Sequence, residues 1–294
     1  MKRVFEYTIP KEYDGKTIKD FLYGACNMSG TFIKELKKTD DGIMLNGERK
    51  FVIEKLREND TLIISAHDKV SETITPVKLD FDVIYEDDDI IIIDKPPHMP
   101  THPSFGNYGN TLANGLMYYW QEKGEKHVFR AINRLDKDTS GVMCVAKNSH
   151  SNAILCDALK SGKLKRRYKA IVCGNVEKDG TVNAPIGREG VIKRCVTEDG
   201  DHAVTHYRVV EKLKGYTLIE LELETGRTHQ IRVHMSHIGH PILGDWLYGI
   251  EDKELFERHA LHSCYLELIH PINGKLMKFS SELPQDMLTF VKKC

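Results

Sequence analysis

Apolar and polar positions alternate most cleanly in "TLIELELE". Ile219, Leu221 and Leu223 fall on one face and Glu220, Glu222 and Glu224 on the other, which predicts a half-buried strand. A turn at Thr225-Gly226 then leads into "HQIRVHMSHI", where Ile231, Met235 and Ile238 recur at helical spacing. Thr228 is expected to cap the start of that helix and Gly239 to follow its end. Upstream, "NTLANGLMYYWQEKG" predicts a capped helix with Leu112, Leu116 and Trp120 on one side and Gly124 at its end. "FDVIYEDDDIIIIDKPP" predicts a hairpin, two apolar runs joined by the acidic turn Glu86–Asp89 and closed by Lys95-Pro96-Pro97. "GVMCVAK" is a further strand, and 151–160 a short helix.

Residues 1–70 form a separate pattern: Ile18 and Leu22, then Ile33 and Leu36, at helical spacing, the turns Asp41-Gly42 and Asn46-Gly47 around a strand Ile43–Leu45, and the strand "DTLIIS". A small α/β unit is expected there. A polar linker ending in proline follows, at 71–78, and a larger unit at 79–294. Many short strands with interspersed helices, and no regular strand–helix–strand alternation, predict an α+β fold with a mixed, mainly antiparallel sheet flanked by helices.

Composition narrows the class. The chain has 294 residues, 40% of them hydrophobic and 29% charged, with a formal net charge of −1. No stretch approaches the roughly 18 apolar residues of a membrane span, and "MKRVFEYTIPKEY" lacks the apolar core of a secretory signal. Seven scattered cysteines with no Cys-x-x-Cys pair argue for reduced thiols and a cytoplasmic setting. The net charge hides a dense run: Lys160, Lys163, Lys165, Arg166, Arg167 and Lys169 surround Tyr168 within ten residues. Cations interleaved with an aromatic suit phosphate plus base, although such runs are commonly solvated faces.

"INRLDKDTSG", residues 132–141, carries the densest chemistry. Asp, Thr, Ser and Gly form turns, so a plain capped loop is one reading. Asp136 and Asp138 at Asp-x-Asp spacing offer a second, Mg²⁺-assisted phosphoryl transfer. Against it, the preceding "RAINRL" is too polar for a buried strand, and no glycine-rich phosphate cradle is present. In the third reading Asp136 is a lone nucleophile or electrostatic partner, kept ionised by a neighbouring cation. Arg134, Arg227 and Arg232 are the candidates, and spacing does not choose among them.

The decapeptide resembles the hallmark of RluA-type pseudouridine synthases, His-Arg-Leu-Asp-x-x-Thr-Ser-Gly. "IIIIDKPPHMPTHPS", "RRYKAIVCG", "TGRTHQIRVHMSHIGHPILGDWLYG" and "RHALHSCYLELIHP" resemble the family's other motifs in the same order, over roughly residues 78–290. Residues 1–70 resemble more loosely the S-four-like RNA-binding domain, on Ser29, Ile33, Lys34, Leu36 and Leu45-Asn46-Gly47. The resemblance implies the pseudouridine synthase fold and an isomerase that flips a uridine from folded RNA, breaks its glycosidic bond and rejoins the base through carbon 5, without metal or cofactor. Asp136 falls on the essential aspartate, Tyr168 on the tyrosine that stacks on the base, and Arg232 on the arginine that pairs with the aspartate. Arg134 falls on the arginine that replaces the flipped nucleotide, and Leu135 would pack beneath the base. Lys160, Lys163, Lys165, Arg166, Arg167, Lys169 and Arg227 are expected to contact RNA. One departure stands out: Asn133 replaces the family's leading histidine, and its expected role is to orient the loop.

His234 and His237 share a helical side, but no carboxylate or cysteine joins them at metal-ligand spacing, so hydrogen-bonded core histidines are expected. Cys173 is read as a structural thiol, and Trp120, Tyr118 and Tyr119 as helix packing. The expected partner is RNA, ribosomal (large-subunit) ahead of transfer RNA, acted on by a monomer with no membrane association. A non-catalytic RNA-binding homologue is the alternative from another class.

Overall fold

The computed structural model describes residues 2–67, 73–250 and 252–294. Of the expected linker, Ser71 and Glu72 lie outside the described residues. Among those described, no helix is long and apolar enough to cross a membrane.

The first sheet is built from β1 (Lys2–Thr8), β2 (Ile43–Leu45), β3 (Glu48–Arg49) and β4 (Thr61–His67), in the order β1-β4-β2-β3. Helices α1 (Ile18–Gly24) and α2 (Gly30–Leu36) belong to the same unit. Thr17 starts α1 with a capping box closed by Asp20, and Ser29 caps α2 through the Phe32 amide. Ile18, Leu22, Ile33, Leu36, Leu45 and Ile64 share a core with no residue of the larger sheet in its centre; Ile272 packs on its edge.

The larger sheet begins with the hairpin β5 (Asp82–Glu86) and β6 (Ile90–Lys95). Helix α3 (Leu112–Glu122), the short β7 (Arg130–Ala131), β8 (Ser140–Ala146) and α4 (Ser149–Lys160) follow. Then come β9 (Lys165–Cys173), β10 (Gly180–Asn183), the two-stranded arm β11 (Ile186–Glu189) and β12 (Lys193–Val196), β13 (Val204–Leu213) and β14 (Tyr216–Leu223). Helix α5 (Gln230–His237), β15 (Leu261–Ile269), β16 (Leu276–Ser280) and α6 (Gln285–Lys293) complete the chain. The strand order is β10-β13-β14-β9-β15-β8-β6-β5, with β7 and β16 attached to β8 and β15. The fold is α+β and the sheet mainly antiparallel, as the pattern predicts.

Among the described residues one pairing is parallel, β15 with β8, and it lies at the centre of the sheet. Gly141 faces Ser263 across that seam. Its φ is +111°, and a Cβ there would lie 2.2 Å from the Ser263 carbonyl oxygen, so only glycine lets the strands meet. Ser263 in turn faces Tyr168 on β9. The loop that carries Asp136 therefore enters the sheet with a single strand, β15, between it and Tyr168.

The small unit docks behind the β5–β6 hairpin. Arg3 gives Nε and Nη2 to Asp89 at 3.1 and 2.9 Å and reaches Asp88 at 3.2 Å. The His150 ring stacks on Phe32 (centroids 4.9 Å) and meets the edge of Phe5 (5.4 Å). Burial between these rings pushes the imidazole down to about 4. Its folded pKa lies below the ~6.5 of a free histidine. The packing is therefore fully stabilising above pH ~6.5 and is lost as pH falls from there through about 4. An NMR titration is expected to show His150 protonating well below 6.5, with resistance of the docked unit to proteolysis declining over the same range. Titration of His150 at its free value would contradict the docked packing.

Candidate active site

Asp136 sits in the loop between β7 and β8, where its carbonyl accepts the Thr139 amide at 3.2 Å. Two further contacts hold the loop from behind. Thr101 Oγ1 donates to the Leu135 carbonyl at 2.8 Å, and the buried Lys95 ammonium donates to the carbonyls of Lys137, Pro96 and Met99. Asn133 is 2% exposed, and its Oδ1 accepts the Cys144 amide of β8 at 3.0 Å. It thus pins the loop to the sheet, while its Nδ2 is buried without a partner.

Arg232, on α5, approaches from the opposite side. Its Nε and Nη2 donate to the two oxygens of Asp245 at 2.7 and 2.8 Å, and its Nη1 lies 3.3 Å from Asp136 Oδ2. Asp245 is fully buried and also accepts the amides of Leu247 and Tyr248. Burial works against the guanidinium charge, but Asp245 and then Asp136 more than offset it and its pKa is raised. Among the described residues Asp136 Oδ1 has no hydrogen-bond partner, so one oxygen is held and the other is open.

Asp136 lines a cavity of about 450 Å³ together with Leu135, Tyr168, Arg232 and the turn 223–231. Tyr168 is 4% exposed and burial pushes its phenol up, so it stays neutral. Arg134, Lys160, Arg166 and Arg227 also line the cavity. The rest of the basic run does not. Alternation along β9 turns Arg166 and Tyr168 inward and Lys165, Arg167 and Lys169 to the opposite face. There Arg167 pairs with Glu222 at 3.2 Å and lies over the Tyr265 ring. Lys163 is exposed in the turn before β9. The run is two faces of a strand rather than one continuous basic surface.

The start of α5 also differs from expectation. The cap position is His229, not Thr228, with φ 59° and ψ 17° in the left-handed region. The Gln230 side chain explains the shift. Its Oε1 accepts from Arg227 N–H and Thr225 Oγ1, and its Nε2 donates to Val204 O and Thr205 Oγ1, so the turn closes one residue later. His229 Nε2 comes to 3.8 Å from Asp136 Oδ2. His234 is buried and engaged by Thr205 Oγ1 and the Ala184 carbonyl. Asp245, Tyr248 and His229 had no part in the expected site, although all three lie in one motif-bearing stretch. The signal was the stretch itself, "GRTHQIRVHMSHIGHPILGDWLYG".

The cavity brings together a carboxylate braced by arginine, an inward tyrosine and several cations, a lining suited to a base and its phosphates. Comparison with known proteins agrees. A family model described as RNA pseudouridylate synthase matches residues 89–237. The chain is 41% identical over 280 residues to the uncharacterized RNA pseudouridine synthase YjbO of Bacillus subtilis, covering 94% of this chain and 98% of the relative. It is 38% identical over 272 residues to ribosomal large subunit pseudouridine synthase D of Pseudomonas aeruginosa, covering 87% and 83%. The solved structure of human RNA pseudouridylate synthase domain containing 1 is similar at a TM-score of 0.58 and 25% identity, over 69% of this chain and 83% of that one. The chain belongs to the RNA pseudouridine synthases, and within them to the RluA-type family.

Replacing Asp245 would leave the buried Arg232 guanidinium without its main counter-charge. Asp245→Asn is expected to destabilise the fold by about 3–5 kcal/mol in urea titrations. A loss below about 1 kcal/mol would mean that the pair does not carry the packing around α5.

Proposed function

We propose that this RNA pseudouridine synthase acts on uridine in large-subunit ribosomal RNA, with Asp136 as its catalytic carboxylate. The observation that carries the reading is the asymmetry at Asp136, a residue that lines the cavity: Oδ2 faces Arg232 Nη1 at 3.3 Å, while Oδ1 has no hydrogen-bond partner among the described residues. In the reaction the C1′–N1 bond breaks, the base turns, C1′ bonds to carbon 5, the carbon 5 proton leaves to solvent and N1 takes up a proton. A carboxylate with one braced oxygen and one free can attack or support the departing sugar carbon without losing its orientation.

Tyr168 supplies the face on which the base stacks and Leu135 the floor beneath it, and Arg134, exposed at the mouth, fills the gap left in the RNA helix. Flipping costs a few kcal/mol, which cationic contacts to phosphate offset. Lys160, Arg166 and Arg227 are the cations lining the cavity and are assigned that role. Lys163, Lys165, Arg167 and Lys169 would contact only RNA that extends beyond the cavity. Residues 1–70 serve as an S-four-like RNA-binding domain, 71–78 as the linker and 79–294 as the catalytic domain of a cytoplasmic monomer. The ribosomal preference rests on relatives named ribosomal large subunit pseudouridine synthase D.

Tritium release tests this reading. RNA carrying tritium at uridine carbon 5, prepared from cells lacking this gene, is incubated with wild-type protein and with Asp136→Asn, with and without EDTA. The wild type is expected to release label in both conditions and the variant to be on the order of 10²–10⁴-fold slower. The modified position should map to large-subunit RNA. Release by both proteins alike would overturn the role of Asp136, and mapping to transfer RNA would overturn the substrate.

A further inference from the structure

His229 occupies a conformation that L side chains seldom adopt, and such positions tend to cluster where function imposes them. Although it stands at the cap of α5, its side chain makes no capping bond. The ring turns toward the cavity instead, with Nδ1 2.8 Å from the Tyr248 hydroxyl and Nε2 3.8 Å from Asp136 Oδ2.

Counting donors assigns the protons. The Tyr248 oxygen accepts the Arg194 amide of β12 at 2.9 Å. Burial raises the Tyr248 phenol, so it keeps its own proton. Among the described residues that proton has one acceptor, His229 Nδ1. A neutral imidazole that accepts at Nδ1 carries its hydrogen on Nε2, and that hydrogen faces Asp136. Burial lowers the His229 pKa, with Asp136 opposing the shift and Arg232 and Arg194 adding to it. The groups facing the ring from the surrounding elements are Asp136, Arg232, Arg194, Asp245, Tyr248 and His259.

We propose that His229 is a positioning residue for the isomerisation, a tautomer-locked N–H donor that holds Oδ2 of Asp136 together with Arg232 and so keeps Oδ1 turned to the substrate. The proposal rests on the reading of Asp136 as the catalytic carboxylate. The Nε2–Oδ2 separation of 3.8 Å exceeds a hydrogen bond, and catalytic contacts of this kind shorten in the substrate complex. A movement of roughly 0.8 Å reaches the usual ~3.0 Å. Protonating His229 would place a hydrogen on Nδ1 against the Tyr248 hydroxyl, break the relay from the Arg194 amide and set an imidazolium charge against Asp136, which lowers the reactivity of the carboxylate.

The test is single-turnover tritium release from carbon 5-labelled RNA between pH 5 and 8.5, for the full chain as wild type, His229→Ala, His229→Gln, Tyr248→Phe and Asp136→Asn. RNA affinity and thermal melting are recorded for each. Wild-type rate is expected to fall on the acid side with an apparent pKa below the ~6.5 of free histidine. His229→Ala should lower the maximal rate about 10–100-fold with KM within about twofold, the pattern of an interaction realised in the transition state. His229→Gln should recover most of that loss, because its amide N–H replaces Nε2–H, and should lack the acid limb. Tyr248→Phe should lower the rate and shift the limb, because Nδ1 has lost its donor.

Wild-type rates and an unchanged acid limb in His229→Ala and Tyr248→Phe, with Asp136→Asn inactive, would overturn the role of His229 and leave the catalytic reading intact. Equal losses in His229→Ala and His229→Gln, tracking lowered melting temperatures, with the acid limb of Tyr248→Phe unchanged, would also overturn it. Activity in Asp136→Asn would remove the reading on which it rests.

Discussion

A buried guanidinium transmits the shape of this fold to the carboxylate of Asp136. Removing an arginine from water costs several kcal/mol unless its donors are matched. Asp245 matches two of them in a fork, and two backbone amides hold Asp245 in turn. With that end satisfied, Arg232 has its remaining arm at one oxygen of Asp136. The strongest electrostatic contacts of the site are thus between groups already enclosed by protein, and the carboxylate is left with one face occupied and one face free. Preorganisation of this kind is the general route by which a site stabilises a transition state without reorganising during the reaction.

Backbone geometry serves the same end from the other side. Gly141 allows β8 and β15 to meet in a parallel pairing, and the loop entering β8 is stitched down at Asn133, Leu135 and Lys137. Tyr168 stands on the strand beyond that seam and the cap of α5 closes over it, so three separate stretches of chain converge on one cavity. Asn133 shows how little of this needs a titratable group. An amide oxygen bonded to a strand amide holds the loop, in the position where the motif that this stretch resembles has histidine.

Much of this was legible in the sequence wherever one local rule dominates. The helical spacing of Leu112, Leu116 and Trp120 and the alternation around Ile219 and Leu221 appear as read because one face of each element is buried, and the acidic turn at Glu86–Asp89 because it breaks two apolar strands. Asp136, Tyr168 and Arg232 were legible through motif resemblance, and the structure brings all three to one cavity. What escaped depends on contacts distant in the chain. Asp245 looks like an ordinary turn residue until α5 places Arg232 over it. The left-handed cap at His229 follows from four hydrogen bonds made by Gln230, which no spacing rule contains. The basic run divides for a simpler reason: Lys165, Arg167 and Lys169 alternate along the strand with Arg166 and Tyr168, which line the cavity.

The most direct test of the central claim is a double-mutant cycle on the single-turnover rate of tritium release, with Arg232→Lys, Asp245→Asn and the pair. If Asp245 acts through Arg232, the loss caused by Asp245→Asn in the wild-type background should largely vanish when Arg232 is already lysine, a coupling beyond the ~0.5 kcal/mol scatter of independent sites. Losses that simply multiply would contradict the account, because Asp245 would then influence Asp136 by a route other than the buried guanidinium.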